Sequence, residues 1–167
     1  MSELDDLAKR VGEALKASGD VLATAESCTG GWIAQVVTTR AGSSAWFDRA
    51  YITYSNDAKQ QMLGVSAETL ESHGAVSEPV VEEMARGALK GAATVSVAVS
   101  GVAGPDGGTK AKPVGMVCLA WASSNGQRRA VTRHYKGDRT AVRRQAVVDA
   151  LEGVIELAGA AHKPRKS

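Results

Sequence analysis

The run TVSVAVS, residues 94–100, constrains the fold of this chain more than any other segment. It carries small, mostly apolar side chains and no charge. A strand with one wet face alternates polar and apolar residues. A near-continuous run of this kind is a strand covered on both faces, which requires helices above and below its sheet. Helical segments are present on either side of it in sequence. Leu4, Leu7, Val11, Ala14 and Leu15 repeat at helical spacing behind Ser2 and Asp5, which resemble a capping box, and Ser18-Gly19-Asp20 stops that helix. VLATA (21–25) reads as a strand and Gly30–Arg40 as a helix that starts near Thr29. AYITY (50–54) is a second strand, and Ser55-Asn56-Asp57 caps a short helix with Lys59, Met62 and Leu63.

Ser77 ahead of Glu78-Pro79 marks another helix start, with Val81, Met84, Ala85, Ala88 and Leu89 as its buried stripe. After the glycine-rich segment 101–113, two strand-like stretches (114–122 and 128–135) flank Ser-Ser-Asn-Gly, a hairpin signal. Asp138 caps a long last helix whose Val147, Leu151, Val154 and Ala158 face inward. The order of elements predicts an α/β fold: a single-domain three-layer sandwich over residues 1–160, with a mixed, mostly parallel sheet between helices. HKPRKS, within the basic tail 161–167, reads as a solvated segment.

Composition removes several classes. The chain has 167 residues and 44% apolar content, enough for one core without staples. A net charge of +2 does not suit a general polyanion binder, so no nucleic-acid partner is expected. Two cysteines, Cys28 and Cys118, make no disulfide framework, and no Cys/His cluster has metal spacing, so neither a metal nor another cofactor is expected. The N-terminal segment is a charged amphipathic helix and not a secretion signal, and no apolar run has membrane-spanning length. The expectation is a soluble cytoplasmic protein without a membrane partner. Compact enzymes of this size commonly assemble as symmetric homo-oligomers, the state expected here.

Chemistry concentrates in three loops that leave strand ends: ESCTGG, YSNDAK and SGVAGPDGGTK. Ligands in open α/β sheets sit beyond the C-terminal ends of strands, so parallel strands would bring all three loops to one edge. In the third loop Gly101, Gly104, Gly107 and Gly108 form either a long flexible turn or a backbone cradle for a phosphate or carboxylate. Neither a Walker A loop nor GxGxxG is present. In the first loop Thr29 suits a helix cap, with Gly30 and Gly31 allowing close packing. A helix N-terminus also favours anions and lowers a thiol pKa. Cys28 has no histidine beside it and reads as packing; by position alone Ser27 is the better hydroxyl. His73, His134 and His162 lie outside the polar loops, which disfavours a Ser-His triad. A Ser-Lys dyad needs only one lysine whose pKa is lowered from about 10.4, and Lys59 lies next to these loops. Ser44 in AGSSAWF is a further hydroxyl, and Tyr54 could orient the lysine or the nucleophile. Arg139 opens the last helix, where it could pair at the surface or clamp a phosphate bidentately, with Arg143 and Arg144 one turn on.

TAESCTGGWIA, AGSSAWFDRAYITYSNDAKQQMLGV, HGAVSEPVVEEMA, SGVAGPDGGTKAKPVG and GDRTAVRRQA together resemble the CinA C-terminal domain family, in order and over roughly residues 5–157. The resemblance implies hydrolysis of the carboxamide of nicotinamide mononucleotide (NMN) to nicotinate mononucleotide and ammonia. It puts the catalytic serine on Ser44 and the lysine on Lys59, with Tyr54 assisting. On this resemblance Ser27, Ser100 and Arg139 match positions that surround the substrate, and Thr29, Gly30 and the four glycines of the third loop are expected to join them in binding it. Two other readings stay open: a catalytically silent nucleotide-binding or protein-bridging module of the same family, and a Ser-Lys hydrolase of another small amide.

Overall fold

The computed structural model describes residues 2–160; the basic tail lies outside the described residues. Helix α1 (Glu3–Ser18) begins where Ser2 Oγ accepts the N–H of Asp5 and ends at Gly19 in the left-handed conformation. Strand β1 (Leu22–Glu26) leads into α2 (Trp32–Thr38), and a 3₁₀ turn (Ser43–Ala45) precedes β2 (Phe47–Ile52). Helices α3 (Asn56–Leu63), α4 (Ala67–His73) and α5 (Glu78–Gly87) come next. Strands β3 (Val95–Gly101), β4 (Met116–Ser123) and β5 (Arg128–His134) and helix α6 (Arg139–Ala160) complete the chain.

The five strands form one sheet in the order β2-β1-β3-β4-β5. β1 pairs parallel with β2 and β3, whereas β3–β4 and β4–β5 are antiparallel. β2, β1, β3 and β5 therefore point one way and β4 alone runs against them, the mixed sheet expected. Both interior strands of the parallel half, β1 and β3, are covered on their two faces, and alternate residues separate the two cores. Val95, Val97 and Val99 of β3 and Val117, Leu119 and Trp121 of β4 face α1, α2 and α6. Ala98 of β3 and Cys118, Ala120 and Ala122 of β4 face the other layer, chiefly α5. Small side chains on that second face let α5 sit close, and the Ser96 hydroxyl is satisfied by donating to the Ala85 carbonyl at 2.6 Å.

Three departures from the sequence reading bear on the site. β2 starts at Phe47 instead of residue 50, because parallel pairing with β1 begins at Leu22 opposite Phe47. Tyr54 thus lies beyond the strand. α2 starts at Trp32, since Gly30 and Gly31 both take positive φ (61° and 102°) and hold the ESCTGG segment as a turn. α4, capped by the Ser66 hydroxyl on Glu68 N–H, buries only Leu70 and so has almost no periodic signal.

Candidate active site

The C-terminal ends of β1, β2 and β3 converge on a cavity of about 280 Å³. Backbone pairing runs past the ends of the strands and sets the geometry: Ser27 N–H donates to the Val99 carbonyl at 3.0 Å, and Thr53 N–H donates to the Glu26 carbonyl at 2.8 Å. Beneath the turn, the fully buried Glu26 carboxylate accepts from Thr29 Oγ1 at 2.7 Å, Ile33 N–H at 2.9 Å and Ala34 N–H at 3.1 Å. It caps α2 from seven residues away and holds the turn rigid. Arg143 closes the other side, donating to the carbonyls of Cys28 (3.0 Å) and Thr29 (3.1 Å) with its guanidinium over the Trp32 ring.

Within the cavity, Lys59 Nζ donates to Ser27 Oγ at 3.0 Å and to the Thr53 carbonyl at 2.9 Å. Both side chains are buried, Lys59 at 1% exposure and Ser27 at 7%. The cause lies in α3: the Ser55 hydroxyl caps it on Ala58 N–H, so its first turn aims Lys59 back under the sheet edge. Loss of hydration lowers the Lys59 pKa below the ordinary 10.5, a shift that Cys28 opposes weakly. The shift favours the unprotonated amine, and an unprotonated amine beside a serine hydroxyl could act as a general base toward a nucleophile. Burial pushes the Cys28 thiol up to about 11, which keeps it protonated and inert at neutral pH although it lines the cavity.

Ser100, Gly101, Gly104 and Gly107 line the same cavity, and so does Arg139. Arg139 Nη1 donates to the Gly104 carbonyl at 2.8 Å and Nη2 to the Tyr54 phenol at 3.1 Å. The arginine therefore forms a wall between this cavity and a second recess of about 500 Å³ at the start of α6. Tyr54 is 62% exposed and bonds to Arg139 rather than to Lys59 or Ser27. Another recess, about 340 Å³ against Trp121 and Gly153, is lined by no serine, threonine, cysteine or lysine.

Several expected residues are placed elsewhere. Ser44 lies exposed in the 3₁₀ turn before β2, whereas Lys59 lies beyond the other end of that strand. Six strand residues separate the two ends by about 20 Å, so within the chain Ser44 and Lys59 do not meet. The hydroxyl that Lys59 reaches is Ser27. Thr29 is buried with its hydroxyl spent on Glu26, and it does not line the cavity. Gly30 serves the turn, beside Arg143, and Gly108 packs on Val114. Asn56, Ala75, Val76 and Asp106 line the cavity without having been singled out in the sequence. Asp106 was inside a loop already marked for its glycines. Ala75 and Val76 follow α4, the helix with no periodic signal.

The fold and site define a class: a mixed-sheet α/β protein whose strand ends hold a buried Ser-Lys pair under an arginine-walled cavity. More narrowly, the chain belongs to the CinA family, whose C-terminal domain model matches residues 4–158. It is 60% identical over 154 residues to the nicotinamide-nucleotide amidohydrolase PncC of Escherichia coli (strain K12), covering 90% of this chain and 92% of that one. Identity to the Pseudomonas putida protein of the same name is 52% over 158 residues, covering 94% and 98%. The crystal structure of competence/damage inducible protein CihA from Agrobacterium tumefaciens matches with a TM-score of 0.90 at 46% identity, covering 94% of this chain and 96% of that one.

Proposed function

We propose that this chain is a nicotinamide-nucleotide amidohydrolase that converts NMN and water to nicotinate mononucleotide and ammonia, with Ser27 as nucleophile and Lys59 as its base. The observation that carries the reading is the 3.0 Å contact between Lys59 Nζ and Ser27 Oγ inside a cavity walled by Arg139. In its unprotonated form, which burial favours, Lys59 is held by the Thr53 carbonyl and takes the Ser27 proton as Oγ bonds to the carboxamide carbon. Backbone N–H groups of the turn after Ser27 stabilise the oxyanion. The C–N bond then breaks, Lys59 returns its proton to the nitrogen, and ammonia leaves an acyl-enzyme. A water molecule, deprotonated by Lys59, adds to the acyl carbon; the ester bond to Ser27 breaks as Lys59 returns that proton to Ser27 Oγ, and the acid released ionises to the carboxylate. Arg139, at the positive end of α6, suits the phosphate. Tyr54 orients Arg139, and Ser100 offers a second hydroxyl to the substrate.

The test is ammonia release from NMN by wild type and by the Ser27→Ala and Ser44→Ala variants, with EDTA present. Release by wild type and Ser44→Ala but not by Ser27→Ala is expected. Retained release by Ser27→Ala would move the nucleophile elsewhere. No release by wild type, with NMN still bound, would favour the silent module.

A further inference from the structure

We propose that Asp106 is the specificity-determining residue that selects a cationic over a neutral ring in this cavity, and this rests on the nucleotide-amidase reading. Three residues lining the cavity carry ordinarily charged amine, guanidinium or carboxylate groups: Lys59, Asp106 and Arg139. Lys59 is depressed toward the neutral amine by burial. Arg139 is a fixed cation anchored on Gly104 and Tyr54. Asp106 is the carboxylate that lines the cavity. Glu26, the nearest acid in the chain sequence to the nucleophile, is fully buried beneath the turn with its oxygens bonded to Thr29, Ile33 and Ala34, and it does not line the cavity. Asp138 caps α6 on Ala141 N–H and lines the recess on the other side of Arg139. Among the described residues, Asp106 makes no ion pair or side-chain hydrogen bond that would use up its charge.

The substrate carries both signs, a pyridinium at one end and a phosphate at the other. A cavity with only Arg139 would hold the phosphate and repel the ring. Asp106 supplies a charge of the opposite sign to the same cavity. It stands on the exposed glycine-rich loop, so it acts through a largely aqueous medium. A carboxylate and a cation a few ångströms apart in that medium change affinity by about tenfold, not by thousands. The same charge separates substrate from product. Hydrolysis turns a neutral carboxamide into a carboxylate, so the ring unit passes from net positive to net neutral and loses its net attraction to Asp106.

Calorimetric affinities would decide this, measured in the Ser27→Ala background so that no turnover intrudes. The ligands are NMN, its reduced form with an uncharged dihydropyridine ring, and nicotinate mononucleotide. Replacing Asp106 by Asn is expected to weaken NMN about five- to tenfold and leave the reduced form within about twofold. Nicotinate mononucleotide should not weaken, while Asp106→Glu should keep the preference for NMN. The preference should also shrink in 1 M salt. Equal weakening of all three ligands would mark loop damage and overturn the proposal, and so would no change in any. Ammonia release by the unmodified enzyme reads the reaction separately, so a failed amidase reading and a failed Asp106 proposal give different results.

Discussion

At the residue scale, Lys59 is the most consequential side chain in the molecule. It is 1% exposed, and among the described residues its amine hydrogen-bonds to no carboxylate, only to Ser27 Oγ and a backbone carbonyl. Burial lowers its pKa, so the unprotonated base is available at a lower pH than for a solvated lysine. The kcat/KM for NMN should therefore rise with pH through a limb centred below 10.5. Lys59→Met should lose about a thousandfold in turnover while still binding NMN. A limb at or above the ordinary lysine value, or unchanged turnover in the variant, would remove Lys59 from the mechanism. Stability has the same sign. Between the native pKa and 10.5 the unfolded chain binds a proton that the folded chain does not, so the Lys59 contribution to stability improves as pH rises. Below that window the full cost of burying an ammonium remains.

At the scale of elements, the turn after β1 is held by partners distant in sequence. Glu26 supplies the N-terminal cap of α2 because Gly31, at φ 102°, has no side chain to do so. Truncating it leaves the N–H groups of Ile33 and Ala34 and the Thr29 hydroxyl without that acceptor in a buried place. Glu26→Ala should cost about 2–4 kcal/mol in urea denaturation, with a loss of activity as the Ser27 turn relaxes. A variant as stable as wild type would show that the turn is held by Arg143 and backbone pairing alone.

At the scale of the whole molecule, α6 closes tightly on one face of the sheet. Trp121 packs under α6, its indole N–H donating to the Ala150 carbonyl at 2.9 Å. A Cβ at Gly153 would come within 2.1 Å of that ring. Gly153→Ala should destabilise by about 1–3 kcal/mol through overpacking, or roughly 2–12 °C in Tm for a chain of this size. By contrast, Arg10→Ala, which breaks the exposed Arg10–Glu152 pair between α1 and α6, should cost less than about 1 kcal/mol. The reverse ranking in thermal melts would mean that surface charge and not core packing holds α6 to the sheet.

Local features were legible because local physics makes them. Ser2, Ser55 and Ser77 cap their helices through hydroxyls three residues from the N–H they accept, and TVSVAVS became β3, covered on both faces. The CinA motifs, and the convergence of three loops on one sheet edge, were also readable in the chain. α4 was not, since a helix with a single buried Leu70 leaves no period to detect. Position beside the polar loops favoured Ser27, whereas the family resemblance put the catalytic serine on Ser44; which of the two hydroxyls Lys59 reaches was left to tertiary structure. Parallel pairing of β1 with β2 decides it. It brings the end of β1 beside the end of β2, where Lys59 sits, and leaves Ser44 at the far end. Residue type determined what chemistry this protein could host. Strand direction determined which serine the lysine reaches, because a parallel sheet collects strand ends that the chain itself keeps apart.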